Sequence, residues 1–409
     1  MSYKSIEGGV TAPKGFLAAG VAAGIKYKNR PDLMLVYSEA PCIVAGTFTS
    51  NVVKAAPVKW DQRIVAAGKE VRAIVANSGI ANACTGEDGL EICRQTAGYA
   101  AEKLGISEDE VLIGSTGVIG MQLPLERIKS GLDQLVPALA ATTKAGNDAE
   151  RAIMTTDTVP KEVAVELTLS GKTVRIGGMS KGSGMIHPNM CTMLAYITTD
   201  ANISRELLAG LVKQDIADTF NMISVDGDTS TNDTCLVLAN GLSEGPVIDQ
   251  KNEDYEAFKE ALHYVNETLA KKMAKDGEGA NALFEAKVLN AGTKEEARTL
   301  ARSVVSSLLS KAAIFGHDAN FGRFLCALGY AGVEFDPERV DLYFESRAGK
   351  LLIFSDGRQA EYSEERATEI LSEDEVTVIA DMKQGTAEAT AWGCDLSYEY
   401  VKINADYRS

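Results

Sequence analysis

Histidine is scarce: only His187, His263 and His317 occur in 409 residues. Neither a His-rich metal site nor a Ser-His-Asp triad is therefore a natural starting point. The seven cysteines, at 42, 84, 93, 191, 235, 326 and 394, form no Cys-x-x-Cys pair. That argues against a zinc ribbon, and an odd, scattered set does not read as a disulfide framework. A reducing cytoplasm is the expected compartment, and the opening Met1-Ser2-Tyr3-Lys4-Ser5-Ile6-Glu7 carries no hydrophobic signal core. No apolar run approaches the ~18 residues needed to cross a bilayer. Positive charge is short as well: 41 Lys plus Arg face 57 Asp plus Glu, a formal charge of −16. Nucleic acid and anionic membranes both need a basic footprint, so neither is an expected partner.

What is present is a chain 45% hydrophobic and 24% charged, long enough for two domains or lobes of roughly 100–200 residues each. Residues 163–169 alternate as a strand, and Ser170-Gly171-Lys172 turns them back into Thr173-Val174-Arg175-Ile176. Leu90, Cys93, Ala97, Ala101 and Leu104 fall at helical spacing. Capping boxes are expected at Ser107/Glu110 and Thr293/Glu296. The second should open a helix with Ala297, Leu300, Ala301, Val304 and Leu308 on its apolar face. A further amphipathic helix spans about Tyr255 to Met273, with Gly277 as its stop. Strands and helices mix without a regular βαβ cadence, so an α/β (α+β) architecture of helices layered on sheets is expected. Glycine and small residues crowd 177–192, a long non-helical approach to a strand-like segment at 193–198.

Most local motifs have plain readings. Gly171-Lys172-Thr173 lacks the earlier glycine of a phosphate loop, since position 166 is glutamate. Gly182-x-Gly184 has His187 where a dinucleotide fingerprint needs glycine. His187 beside Cys191 hints at a thiol–imidazole pair, but packing roles are commoner, and His317 reads as a loop residue. The 226–234 segment is calcium-like only at first sight, because Leu236 stands at the twelfth position. A hydrogen-bonded polar turn fits it better, and no metal site is expected. Val111-Leu112-Ile113 running into Gly114, Gly117 and Gly120 can present donors to an oxyanion, although a tight turn alone explains the pattern.

Taken jointly, the motifs resemble one family across nearly the whole chain. They are Gly8-Gly9-Val10-Thr11-Ala12-Pro13-Lys14-Gly15-Phe16, Asn77-Ser78-Gly79, Ala81–Gly86, Ser115-Thr116-Gly117, Met154-Thr155-Thr156-Asp157-Thr158 and the 181–192 loop. The 226–234 turn, Gly277-Glu278-Gly279-Ala280, Asp318–Arg323, Ala391–Asp395 and Asn404–Ser409 continue the series. In that order they resemble the ornithine acetyltransferase (bifunctional glutamate N-acetyltransferase) family of arginine biosynthesis.

The resemblance implies a multifunctional acyltransferase made as a precursor that cuts itself between Cys191 and Thr192. The products would be an α chain, 1–191, and a β chain, 192–409, of 191 and 218 residues. It also implies a fold layered like the N-terminal-nucleophile enzymes and an α2β2 heterotetramer. Thr192 would be the nucleophile, carrying acetyl from N-acetylornithine to glutamate, with acetyl-CoA open as a second donor and no cofactor. Its new α-amine, of reference pKa about 7.7–8.0, supplies the base that a threonine hydroxyl lacks. Thr116 and Gly117 would form the oxyanion hole, where one donor is worth about 2.7–4 kcal/mol. Thr155, Lys181, Thr192, Glu278, Asn404 and Ser409 match the family's substrate contacts. By charge, Lys181 suits the α-carboxylate and Glu278 the ornithine ammonium.

The chain departs from the pattern at five places. Ile80 replaces an asparagine, Cys191 an alanine, Asn281-Ala282-Leu283 a Thr-Lys-Leu, Phe321 a tryptophan and Ser409 a threonine. Cys191 is small, so cleavage is still expected; the lysine missing at 282 bears on substrate preference and acetyl-CoA use. The competing readings are a related N-terminal-nucleophile amidase or aminopeptidase, in which water takes the acyl group, and an uncleaved binding protein.

Overall fold

The hairpin read from 163–176 extends over Lys161–Leu169 and Lys172–Lys181. Its turn residues, Ser170 and Gly171, have φ of 45° and 79°, the left-handed pair that matches the twist of adjacent antiparallel strands. The structure, a computed structural model, describes residues 3–187 and 193–406. In chain order the strands are β1 Tyr3–Ile6, β2 Phe16–Val21, β3 Leu33–Phe48, β4 Val71–Asn77, β5 Val111–Ser115, β6 Lys161–Leu169, β7 Lys172–Lys181 and β8 Leu194–Thr199. Then come β9 Ile223–Ser224, β10 Thr234–Ala239, β11 Leu283–Ala291, β12 Asp341–Ser346, β13 Gly349–Ser355, β14 Arg358–Gln359, β15 Glu375–Asp381 and β16 Ala387–Cys394.

These elements fall into two units. The first comprises 1–182, 189–217 and 229–269. Its nine-stranded sheet runs β1-β6-β7-β8-β10-β3-β4-β5, with β2 also on β3. β8 and β10 are parallel neighbours, and each pairs antiparallel on its other side, β8 with β7 and β10 with β3. Residues on both sides of the 191–192 bond therefore share one continuous ladder. Helices Ala56–Ala66 and Gly86–Leu104 pack on β5, and Thr143–Ile153 and Arg205–Ile216 pack on β3. The core between them is apolar and closed, with Leu35, Ile74, Leu112, Leu132 and Leu236 wholly buried. Helix Glu253–Lys275 covers the expected 255–273 stretch, and its Phe258, Leu262, Val265 and Leu269 are buried.

The second unit comprises 183–188, 218–228 and 270–409. Its sheet runs β14-β13-β12-β15-β11-β16-β9. Helix Lys294–Ser306 packs on β11 and β16, and Glu364–Leu371 on β12. Each unit is thus a mixed sheet with helices laid on it, the layered α/β class expected.

Both capping boxes form, with different consequences. Thr293/Glu296 opens helix Lys294–Ser306, whereas Ser107/Glu110 closes one 3-10 turn, Glu108–Glu110. Leu308 is a correction. The helix ends at Ser306, Ser307 caps a second helix over Leu308–Phe315, and Leu308 is 61% exposed rather than on the apolar face. Among the described residues no helix is long and apolar enough to cross a membrane.

Candidate functional site

In the first unit, helix Ala56–Ala66 fixes the strand that leads to the glycine turn. Trp60 Nε1 donates to the Val111 carbonyl (3.0 Å), and Asp61 Oδ1 accepts from the Ile113 amide (2.8 Å). Asp61 is buried, and that burial pushes its carboxyl well above the usual range. Beyond β5, Ser115 Oγ donates to Asn77 Oδ1 (2.7 Å), and the Thr116 amide donates to the Asn77 carbonyl (3.0 Å). Asn232 Nδ2 holds the carbonyls of Ala81 (2.6 Å) and Ser115 (2.8 Å). Ile80 bridges Thr116 and Val118 and is 3% exposed, so the residue replacing asparagine packs as core beneath the turn.

Gly117 is required at its place. Its φ is +128°, and an added Cβ would overlap the Gly79 backbone. Its amide donates to no acceptor among the described residues. The Thr116 amide is already committed, so the donors this turn can offer are the Thr116 hydroxyl and the Gly117 N–H, rather than two successive amides. Lys181 Nζ, at the end of β7, donates to Thr116 Oγ1 at 3.2 Å. A hydroxyl that accepts from an ammonium is left with its own hydrogen to give.

Asp157 ties the neighbouring segments together. Its Oδ2 accepts from the Thr155 amide (3.0 Å), and its Oδ1 from the Gly182 amide (2.7 Å) and Lys161 Nζ (2.7 Å). Both side chains of the Asp157–Lys161 pair are wholly buried. Burial alone would push the Asp157 carboxyl up, but the Lys181 and Lys161 ammoniums and its hydrogen bonds hold it well below the ordinary carboxylate range. Arg30 clamps the same segment by donating to the Met154 (2.6 Å) and Thr155 (3.0 Å) carbonyls. Thr116, Gly117, Lys181 and Thr155 are thereby linked within one unit.

In the second unit, the Glu278 amide donates to the Ser183 carbonyl (2.9 Å), and Ser183 Oγ donates to the Asp276 carbonyl (2.7 Å). Glu278 is buried, and its Oε2 accepts from Asn404 Nδ2 (2.7 Å) on the terminal helix Tyr398–Asp406. The carboxylate lies over Gly184, where any Cβ would overlap it. Glu278 and Asn404 are therefore brought together. Asp226 accepts from the amides of Met185 (2.6 Å) and Ile186 (2.9 Å), so the 226–234 segment opens as a hydrogen-bonded turn. Among the described residues no group of His, Cys, Asp and Glu is arranged to hold a metal.

His187 is held by polar neighbours in the second unit, and Cys191, its candidate thiol partner, lies outside the described residues. Arg302 donates to its Nε2 (3.1 Å), so the ring proton sits on Nδ1, facing Ser224 Oγ (3.0 Å). Burial, and then Arg302, push its pKa down to about 4. His317 is a loop residue with φ 50° and Nδ1 against Ser372 Oγ. Of the remaining departures, Asn281 is pinned to Asp395 through its amide and its side chain, both at 2.8 Å, and Phe321 stacks on Phe354 at 5.4 Å. Cys191, Thr192 and Ser409 lie outside the described residues. Lys161 and Arg30 went unremarked in the sequence, because lone lysines and arginines carry no spacing signal, and Asn232 stands in the quoted 226–234 segment without an assigned role of its own. Asp157 stands inside a quoted motif without an assigned role.

A family model described as the ArgJ family matches residues 17–409. The arginine biosynthesis bifunctional protein ArgJ 1 of Clostridium acetobutylicum is 51% identical over 394 residues, 96% of each chain. The corresponding protein of Caldanaerobacter subterraneus is 49% identical over 404 residues, 99% of each chain. Among solved structures, ornithine acetyltransferase complexed with ornithine from Mycobacterium tuberculosis is 43% identical, with a TM-score of 0.43. That likeness covers 46% of this chain and 98% of that one.

Proposed function

The chain belongs to the ArgJ family, and on that premise we propose that it moves acetyl from N2-acetylornithine to glutamate through an ester on Thr192. It is an acyltransferase of arginine biosynthesis. The observation that carries the detailed reading is the 3.2 Å contact from Lys181 Nζ to Thr116 Oγ1. It sets a cation suited to an α-carboxylate against a hydroxyl suited to an oxyanion.

The cycle begins with self-cleavage. The Thr192 hydroxyl attacks the Cys191 carbonyl, the acyl group shifts from nitrogen to oxygen, and water hydrolyses the ester. β8 and β10 follow the cut bond and lie between β7 and β3, which precede it, so the two chains stay joined by their ladder. The freed α-amine then accepts the hydroxyl proton as Oγ attacks the acetyl carbonyl. The Thr116 hydroxyl and the Gly117 amide stabilise the tetrahedral oxyanion. The ornithine amine takes the proton and leaves. Glutamate's neutral amine attacks the acetyl ester through the same hole, returns the hydroxyl to Thr192 and departs as N-acetylglutamate.

Lys181 and Thr155 hold the α-carboxylate end of each amino acid, Glu278 with Asn404 holds the ornithine ammonium, and Ser409 completes the contacts. Acetyl-CoA serves as a second donor, in keeping with the relatives' bifunctional name. The protein works in the cytoplasm as an α2β2 heterotetramer and needs no cofactor.

The test compares acceptors. Given N2-acetylornithine and glutamate, the purified protein should form N-acetylglutamate at least about 100-fold faster than acetate, because a held amine is oriented for attack and water is not. Acetate as the main product would establish the amidase instead. Replacing N2-acetylornithine by acetyl-CoA in the same assay tests the second donor.

A further inference from the structure

The connection from β2 to β3 carries Lys26, Lys28 and Arg30, a run of cations in a chain of charge −16, and the chemistry above uses none of them. Its first half is fixed by one buried carboxylate. Asp32 Oδ1 accepts from the amides of Ala23 (2.7 Å) and Gly24 (3.2 Å), and its Oδ2 from that of Ile25 (2.7 Å). The Asp32 carbonyl takes the Ser78 amide at 3.0 Å, which docks the connection on the Asn77-Ser78-Gly79 motif.

Lys26 leaves that fixed base across Gly79. A Cβ placed on Gly79, whose φ is +95°, would lie 2.8 Å from Lys26 Cβ, 3.6 Å from its Cδ and 3.2 Å from Tyr27 Cε2. The lysine stem thus lies along Gly79, which is also the residue on which Gly117 closes. A Cβ on Gly117 would lie 2.3 Å from the Gly79 carbonyl carbon. One glycine therefore separates the Lys26 stem from Gly117, all within the first unit.

The neighbouring cations are committed or exposed. Arg30 lies 4.6 Å over the Tyr27 ring and gives its Nη2 to the Met154 and Thr155 carbonyls. Arg127 donates to the Gly24 carbonyl, and Lys28 is exposed. Lys26 is half-buried, and among the described residues its ammonium has neither a carboxylate nor a hydrogen-bond partner.

Glutamate makes a demand that ornithine does not. Both bring an α-carboxylate, but their side chains end in opposite charges. A carboxylate such as Glu278, which suits the ornithine ammonium, repels the glutamate γ-carboxylate. That group needs a cation of its own, which Lys181 does not supply while it holds the α-carboxylate. We propose that Lys26 sets acceptor specificity by receiving the γ-carboxylate of glutamate beside the glycine turn. The inference rests on the reading of glutamate as the acceptor at Thr192.

The experiment loads the processed enzyme with acetyl from N2-acetylornithine, removes the donor, and times discharge of the ester by glutamate and by glutamine. The two acceptors share amine, α-carboxylate and length, so the ratio of their rates reads the side-chain charge. Wild type should favour glutamate. Lys26→Met keeps a stem on Gly79 and should lower the ratio about tenfold, the scale of one charge-assisted contact. Lys26→Gln should do the same, and it carries the test where Lys26→Met does not fold. Lys26→Arg should hold the ratio within about threefold of wild type, as should Lys28→Met, which removes an exposed charge nearby. An unchanged ratio in the Lys26 variants that lack the charge overturns the inference alone. So does an equal fall in Lys28→Met, which would mark a diffuse field rather than a contact. A wild type that takes no acetyl from N2-acetylornithine, or whose ester glutamate does not discharge, overturns the transfer reading, and this inference with it.

Discussion

Lys181 Nζ donates to Thr116 Oγ1 at 3.2 Å, joining the end of β7 to the turn beyond β5 within one unit. The contact orients the hydroxyl: its lone pair takes the ammonium hydrogen, and its own hydrogen is left for an oxyanion.

Thr116→Ala should lower kcat by about 10²–10³-fold, the usual cost of one oxyanion donor. Thr116→Ser, which keeps the hydroxyl, should stay within about tenfold of wild type. Steady-state rates on the processed proteins decide it. Equal losses in both variants would assign Thr116 a packing role.

Gly184→Ala tests the carboxylate above it. A methyl at 184 would overlap Glu278, which Asn404 holds from the other side. The Michaelis constant for N2-acetylornithine should rise about tenfold, as expected when one charged contact is displaced. That for glutamate, which has no side-chain ammonium, should move little. A parallel rise in both constants would remove Glu278 from ornithine recognition.

Glu150 gives a stability prediction with a definite sign. Its folded pKa is pushed up to about 8 from an ordinary 4.5 by burial. Between those values the native chain keeps a proton that the unfolded chain releases, so stability falls as pH rises through the window and levels off above it. Glu150→Gln mimics the neutral acid and removes this slope. Its thermal midpoint should exceed wild type at pH 8, and the gap should close by about pH 4.5. A gap independent of pH would mean that Glu150 is ionised in the fold.

Local patterns in the sequence were enough for the hairpin at 161–181, the helices at 86–104 and 253–275 and the cap at Thr293, because each depends on neighbours in the chain. Leu308 was misplaced because helical spacing continues past Ser306, while the Ser307 cap starts a new helix. The glycine turn was legible as a turn after a strand, but not which of its amides is already committed. That depends on the Asn77 carbonyl taking the Thr116 amide from a neighbouring strand. The Asp157 knot was invisible for the same reason, since Gly182 comes to it from 25 residues away.

The covalent intermediate tests the mechanism most directly. Native protein incubated with N2-acetylornithine and no acceptor, then denatured for mass analysis, should show the 218-residue chain heavier by one acetyl group, about 42 Da, with the modification on its N-terminal Thr192. Glutamate should discharge it, and Thr192→Ala should remain a single uncut chain that takes up no acetyl. A transferase that turns over with no acetyl on Thr192, and with intersecting rather than parallel double-reciprocal lines, would instead pass acetyl directly between two bound substrates.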